Sequence, residues 1–122
     1  MKKSLSALGA ALVVGAWVGI AQAHTHLKKT VPAAGATVAA TLSEIRLQFD
    51  EPIEARLSKV KIESKAGAVL ATEPVASDPA DKNALIVKLP QPLAAGSYKV
   101  NWQAISVDTH KVKGSFTFHV RP

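Results

Sequence analysis

A chain of 122 residues with no cysteine, a formal net charge of +6 and 5% aromatic residues excludes several classes at once. Without thiols there is neither a disulfide framework nor a thiolate metal site, so stability must come from packing, and the length suits one core and not two. The lysines are scattered through alternating patterns and are not joined into a basic run interleaved with aromatics, so nucleic acid is not expected as a partner.

Residues 1–23 read as a secretory signal peptide. Lys2 and Lys3 form the basic n-region, residues 8–20 are uncharged and mostly apolar, and Ala21-Gln22-Ala23 fits the small-x-small cleavage pattern. The apolar run is short for a membrane span of about 20 residues, and no basic stop-transfer cluster follows directly. Cleavage after Ala23 is therefore expected, leaving residues 24–122 as one domain with His24 at its amino terminus. Removing Lys2 and Lys3 leaves 13 basic against 9 acidic residues, a mild excess that the sequence does not localise to one patch.

Along the mature chain the pattern is all-β. The stretch VPAAGATVAATLS, residues 31–43, reads as a loop, because Pro32 and Gly35 oppose a long helix. EIRLQFD then alternates Ile45, Leu47 and Phe49 with Glu44, Arg46 and Gln48, the period of a strand with one face on a core. KVKIES repeats it with Val60 and Ile62, and KAGA supplies a glycine-containing turn into VLAT, residues 69–72. Residues 75–83, VASDPADKN, form the most loop-like stretch, followed by the strand pattern ALIVKL. After the Pro- and Gly-punctuated PQPLAAG, a strand carries Tyr98, Val100 and Trp102 on one face, and GSFTFHV closes the series with Phe116, Phe118 and Val120 inward. About seven such segments predict a β-sandwich with Greek-key connections, with a small barrel as the alternative.

The chemistry gathers at two places far apart in sequence. Cleavage after Ala23 gives His24 a free α-amine beside its imidazole, a chelating pair. In SVDTHKVKG, Asp108 and His110 are two residues apart, so in an extended segment they project to the same side. By itself such a D-x-H reads equally as a turn in which the aspartate bonds its own backbone and the histidine is exposed. Joined to His24 it makes a set of one amine, two imidazoles and one carboxylate, a nitrogen-rich tetragonal set that suits Cu(II). Sulfur donors that would favour Cu(I) are missing, since the one methionine is Met1.

The segments HTHLKKTVPAAGATV, LQFDEPIEA and PLAAGSYKVNWQAISVDTHKVKGSFTFHV together resemble the periplasmic copper-resistance protein family CopC, also called PcoC, over essentially the whole mature chain. VNWQAISVDTH is the most specific part. The resemblance implies an immunoglobulin-like sandwich or barrel that binds one Cu(II) and carries it outside the cytoplasmic membrane, in the periplasm, without catalysing a reaction. It assigns the ligands to His24, Asp108 and His110, and places Glu51 of QFDEP nearby, where it would hold ligand geometry. Some members add a methionine-rich loop for Cu(I); residues 65–81 hold no methionine, which puts this chain with the Cu(II)-only type. A monomer is expected, with an inner-membrane CopD-like protein as its partner.

His26 has two readings. Unblocked His-Thr-His can chelate Cu(II) locally through the amine, the amides and the third imidazole; alternatively His26 sits at the rim of a folded site as a secondary contributor. His119 reads as a surface histidine, and Trp102 as core with an indole N–H that needs a partner. Two other functions compete with a carrier. A copper oxidase with an amino-terminal histidine brace would share the His24 chelate, but Asp108 would fill a position that oxygen needs open. An exported structural β-domain explains the core while leaving the cleavage site, His24 and D-x-H a coincidence.

Overall fold

The computed structural model describes residues 25–122. The expected signal peptide, its cleavage site and His24 lie outside the described residues.

Eight strands form two four-stranded sheets packed face to face, the immunoglobulin-like sandwich expected. They are β1 (Leu27–Val31), β2 (Thr37–Val38), β3 (Glu44–Phe49), β4 (Lys59–Ser64), β5 (Ala76–Asp78), β6 (Asp81–Lys88), β7 (Gly96–Ile105) and β8 (Lys111–Val120). One sheet runs β1-β3-β6-β5 and the other β2-β8-β7-β4; the β2–β8 pair is parallel and the others are antiparallel. Consecutive strands repeatedly change sheet, which gives the Greek-key character.

The alternation seen in sequence becomes the core. Ile45, Leu47 and Phe49 of β3 and Leu85 and Val87 of β6 face Ile62, Val100, Ala104 and Phe118 from the other layer, all fully buried. Such inward rows remove apolar area from water at roughly 25 cal/mol per Å² and make the sandwich stable without cross-links. Two ring contacts organise the layer. Phe49 meets Trp102 edge-to-face across the sheets at 5.4 Å and 73°, while Tyr98 stacks on Phe118 at 5.6 Å within one sheet. The Tyr98 hydroxyl donates back to the Ala94 carbonyl at 2.6 Å, latching the loop that enters β7. Gly114, opposite Trp102 in the β7–β8 ladder, leaves room for the indole: a Cβ there would lie 2.7 Å from Trp102 Cζ2. Trp102 is only 9% exposed, and among the described residues its Nε1–H finds no acceptor, contrary to the expectation of a partner.

Two local expectations are corrected. Residues 75–83 are not a loop but the β5–β6 hairpin, whose turn is held by Asp78 Oδ1 accepting from Ala80 N at 2.9 Å and Asp81 Oδ1 accepting from Asn83 N at 2.9 Å. Conversely VLAT is not a strand; Val69 makes one isolated bridge to Glu63, and Leu70 N donates to Ile62 O at 2.8 Å. β1 and β2 add strands that the pattern did not announce.

Candidate metal centre

The D-x-H segment is the β7–β8 connection. The ladder ends at Ile105–Lys111, and Ser106 N then donates to His110 O at 2.9 Å, closing a loop of Val107, Asp108 and Thr109. Thr109 N returns to Ser106 O at 2.8 Å, and Thr109 itself has φ 70°. That is a tight turn followed by a left-handed residue, a common three-residue hairpin geometry in which glycine usually holds the last position. A β-branched residue there is strained by roughly 1–3 kcal/mol. The expectation that Asp108 and His110 lie along an extended segment is therefore corrected. They stand on either side of a left-handed residue, both exposed to solvent.

Ser106 shapes this turn and was not singled out in the sequence. It is 1% exposed, and its Oγ accepts from His110 N at 3.1 Å, so one side chain fixes the residue that carries the imidazole. The available signal was serine at the first position of a turn.

The other half of the centre comes from the opposite sheet. Thr25 is 2% exposed with an Oγ1 that has no partner among the described residues, so the chain is already packed into the body at that point. His26, exposed, is held through its main chain to one aspartate: His26 N donates to the Asp50 side chain at Oδ1 at 2.8 Å, and Asp50 N donates to His26 O at 3.0 Å. Asp50 was missed because its carboxylate is spent on a main-chain amide 24 residues away, a pairing that only the fold creates.

Residues 50–54 stitch the two halves together. At one end Asp50 holds His26; at the other, Pro52 O accepts from Val107 N at 3.0 Å, Ile53 bridges Ser106, and Glu54 N donates to Ile105 O at 2.8 Å. Ser58 secures the segment, donating through Oγ to Glu54 O at 2.8 Å and accepting from Ile105 N at 3.1 Å. Glu51, half-buried, lies within this segment, between the tie to His26 and the tie to the turn. Residues 25–26 and the D-x-H turn are thus linked through residues 50–54 at one end of the sandwich. Among the described residues no three His, Asp or Glu side chains gather closely enough to hold a metal. His119 is elsewhere, half-buried on β8 with Nδ1 2.8 Å from Ser97 Oγ.

Comparison with known proteins decides the family. Residues 27–121 match the model of the CopC domain. The chain belongs to the CopC family. Among curated relatives, protein YobA of Escherichia coli K12 is 40% identical over 81% of this chain and 80% of its own length. The crystal structure of CopC from Methylosinus trichosporium OB3b superposes with a TM-score of 0.74 at 30% identity, covering 81% of this chain and 95% of that one. PcoC from Escherichia coli, described as a methionine-rich copper resistance protein, superposes with a TM-score of 0.72 at 36% identity, covering 81% of this chain and all of its own. This CopC member contrasts with PcoC in one respect: Met1 is its one methionine.

Proposed function

We propose that this protein is a periplasmic copper-resistance protein that binds one Cu(II) per chain as cargo, for sequestration or delivery, and does not turn it over. Membership of the CopC family carries the reading. The ligands are the α-amine and imidazole of His24, the Asp108 carboxylate and the His110 imidazole, with Glu51 supporting their geometry. Three features support this set. Thr25 is buried at the same end as the D-x-H turn, and covalent geometry ties residue 24 to within one peptide unit of it, about 3.8 Å between Cα atoms. The donors are nitrogen and oxygen only, which matches Cu(II) in a tetragonal field. The amide of His26 already donates to Asp50, which opposes a purely local His-Thr-His chelate, since that chelate would require the same nitrogen. His26 is then a secondary contributor through its imidazole alone.

The reading requires export and cleavage after Ala23, because an amide nitrogen at residue 24 is a far poorer donor than an amine. All ligands come from one chain, so a monomer suffices, and an inner-membrane CopD-like protein is the proposed recipient. The test is intact mass and copper content of the exported protein, followed by competition titration. A chain beginning at His24 should hold one Cu(II), and one additional residue before His24 should weaken binding by more than tenfold. Equal affinity in both forms would remove His24 from the set. Sustained copper-dependent oxygen consumption, lost in His110→Ala, would replace the carrier by an oxidase.

A further inference from the structure

The lysines that look scattered in sequence are gathered by the fold. Lys59 and Lys61 of β4, Lys99 of β7, and Lys111 and Lys113 of β8 are all exposed; Lys99 alternates with buried residues, and Val60 and Val112, which separate the other two pairs, are half-buried. Register places them in rows across three strands: Lys59–Gln103–Lys113, Lys61–Asn101–Ser115, Glu63–Lys99–Thr117 and Ile105–Lys111. Residues paired across a ladder share a face, with strands about 4.8 Å apart. The outer face of these strands therefore carries five lysines and one glutamate. Glu63 lies 3.9 Å from Lys61; among the described residues the other four lysines have no carboxylate within ion-pair distance. At the centre is a shallow concavity of about 480 Å³ lined by the Lys59, Lys61 and Lys113 side chains, by Asn101, Gln103 and Ser115, and also by Trp102 and Gly114.

From this we infer that the outer face of β4, β7 and β8 docks on a bilayer surface carrying anionic phospholipid. Charge complementarity decides the class of partner, and side-chain type decides between partners. Specific protein interfaces are enriched in arginine and aromatics and depleted in lysine; this face has no arginine and no exposed Phe, Tyr or Trp. Single-stranded nucleic acid needs several exposed stacking rings, and the one ring that lines the concavity, Trp102, is buried. Hydrated lysine point charges spread over a sheet match a two-dimensional array of lipid phosphates, with Asn101, Gln103 and Ser115 as additional donors. Lys111 follows His110 directly, and Lys113 and Lys59 share the next row. The lysine field therefore runs up to the D-x-H turn, and a docked molecule holds that turn beside the bilayer. The inference itself needs no metal.

The test is co-sedimentation of the chain as the cell processes it, its mass recorded, with phosphatidylcholine vesicles that contain or lack phosphatidylglycerol, in chelator. Neutral vesicles report whatever residues 1–23 contribute if they are retained. Binding is expected only with phosphatidylglycerol, and is expected to fall steeply as salt shortens the screening length from about 10 Å at 0.1 M towards about 3 Å at 1 M. Lys59→Gln and Lys113→Gln should each lower partitioning about fivefold, the effect of one surface charge. Lys88→Gln, on the opposite sheet, should leave it unchanged. Unaltered melting curves check the variants' folding, and the Lys61→Gln, Lys99→Gln pair gives the same reading should the first pair alter them. Equal binding to both vesicle types, or an equal loss in Lys88→Gln, overturns the inference. Retention on immobilised polyglutamate without binding to anionic vesicles overturns it in favour of an acidic protein partner.

Discussion

On the β1-β3-β6-β5 sheet three charged side chains, Arg46, Asp78 and Asp81, are tied to one another. Arg46 donates to Asp78 at 2.5 Å, to Gln48 at 3.2 Å and to Asp81 at 3.4 Å, and Gln48 donates to the same Asp81 oxygen at 2.6 Å. On the β2-β8-β7-β4 sheet five lysines face one glutamate. The first sheet builds a network that fastens the β5–β6 hairpin to β3; the second has no such network, and four of its five lysines have no carboxylate within ion-pair distance among the described residues. Each sheet also brings one half of the candidate centre, the segment before β1 and the D-x-H turn between β7 and β8. Three ionisable groups thus serve cohesion in one layer, against five lysines and one glutamate presented outward by the other.

The comparison can be pressed by substitution, beginning with the largest effect. Gly114→Val should destabilise the lysine sheet from its inner side by about 1–3 kcal/mol, because the new side chain meets Trp102, and urea unfolding followed by indole fluorescence measures it. Asp50→Ala releases the His26 amide on the other sheet. Cu(II) affinity of the folded site should fall about tenfold, as for loss of a supporting contact, and the electron paramagnetic resonance spectrum should move towards an all-nitrogen plane as the local chelate takes over. An unchanged spectrum would show that Asp50 does not select between the two chelates.

Arg46→Ala should cost about 1 kcal/mol, at the upper end for exposed ion pairs because two carboxylates lose their partner together. Its signature lies in the acid limb. The hydrogen bond from Arg46 holds the Asp78 carboxyl below its ordinary value of 3.8, with the Ala80 amide helping; Gln48 and then the Asn83 amide do the same for Asp81. With folded-state values depressed, the unfolded chain binds more protons below about pH 4. The stabilisation is therefore complete above the ordinary value and is lost as pH falls through the folded value. Asp78→Asn should flatten that limb in thermal scans from neutral pH to pH 3 or so, and an unchanged slope would remove the network from the acid response. The smallest effect belongs to the other face: Lys113→Gln should alter stability by less than about 0.5 kcal/mol at any of these pH values. A larger loss would mean that the lysine face is structural after all.

What the sequence shows of this fold follows from where its alternation is strict. β3, β4, β7 and β8 place apolar residues at every second position, and Ile45, Leu47, Phe49, Val100, Trp102, Phe116 and Phe118 are all buried as that pattern demands. β1 hides because Lys28 and Lys29 are adjacent and its burial does not alternate; β2 is two residues long; β5 is Ala-Ser-Asp at an edge, stabilised by turn contacts and by Arg46 and not by a core face. At the centre, residue types were legible and geometry was not. Asp108 and His110 stand out as chemistry, but the left-handed Thr109 between them follows from Ser106 closing the hairpin, a long-range outcome of β7–β8 register. The lysine field was invisible for the same reason, since only strand order puts Lys59 and Lys113 in one row.

β1 is the outermost strand of its sheet, paired to β3 alone, with a register shift between Leu27 and Lys29. Its main-chain bonds can open without disturbing β3 or β6, so its amides should exchange with solvent well before those of the inner strands. For a carrier whose first ligand is His24, this sets a clock. With His24 as the proposed ligand, cargo dwell time is expected to follow how often the edge strand peels away from Asp50 and Phe49, and not unfolding of the sandwich. The inner strands can then stay paired while an ion held at the edge leaves on the timescale of a single fraying strand.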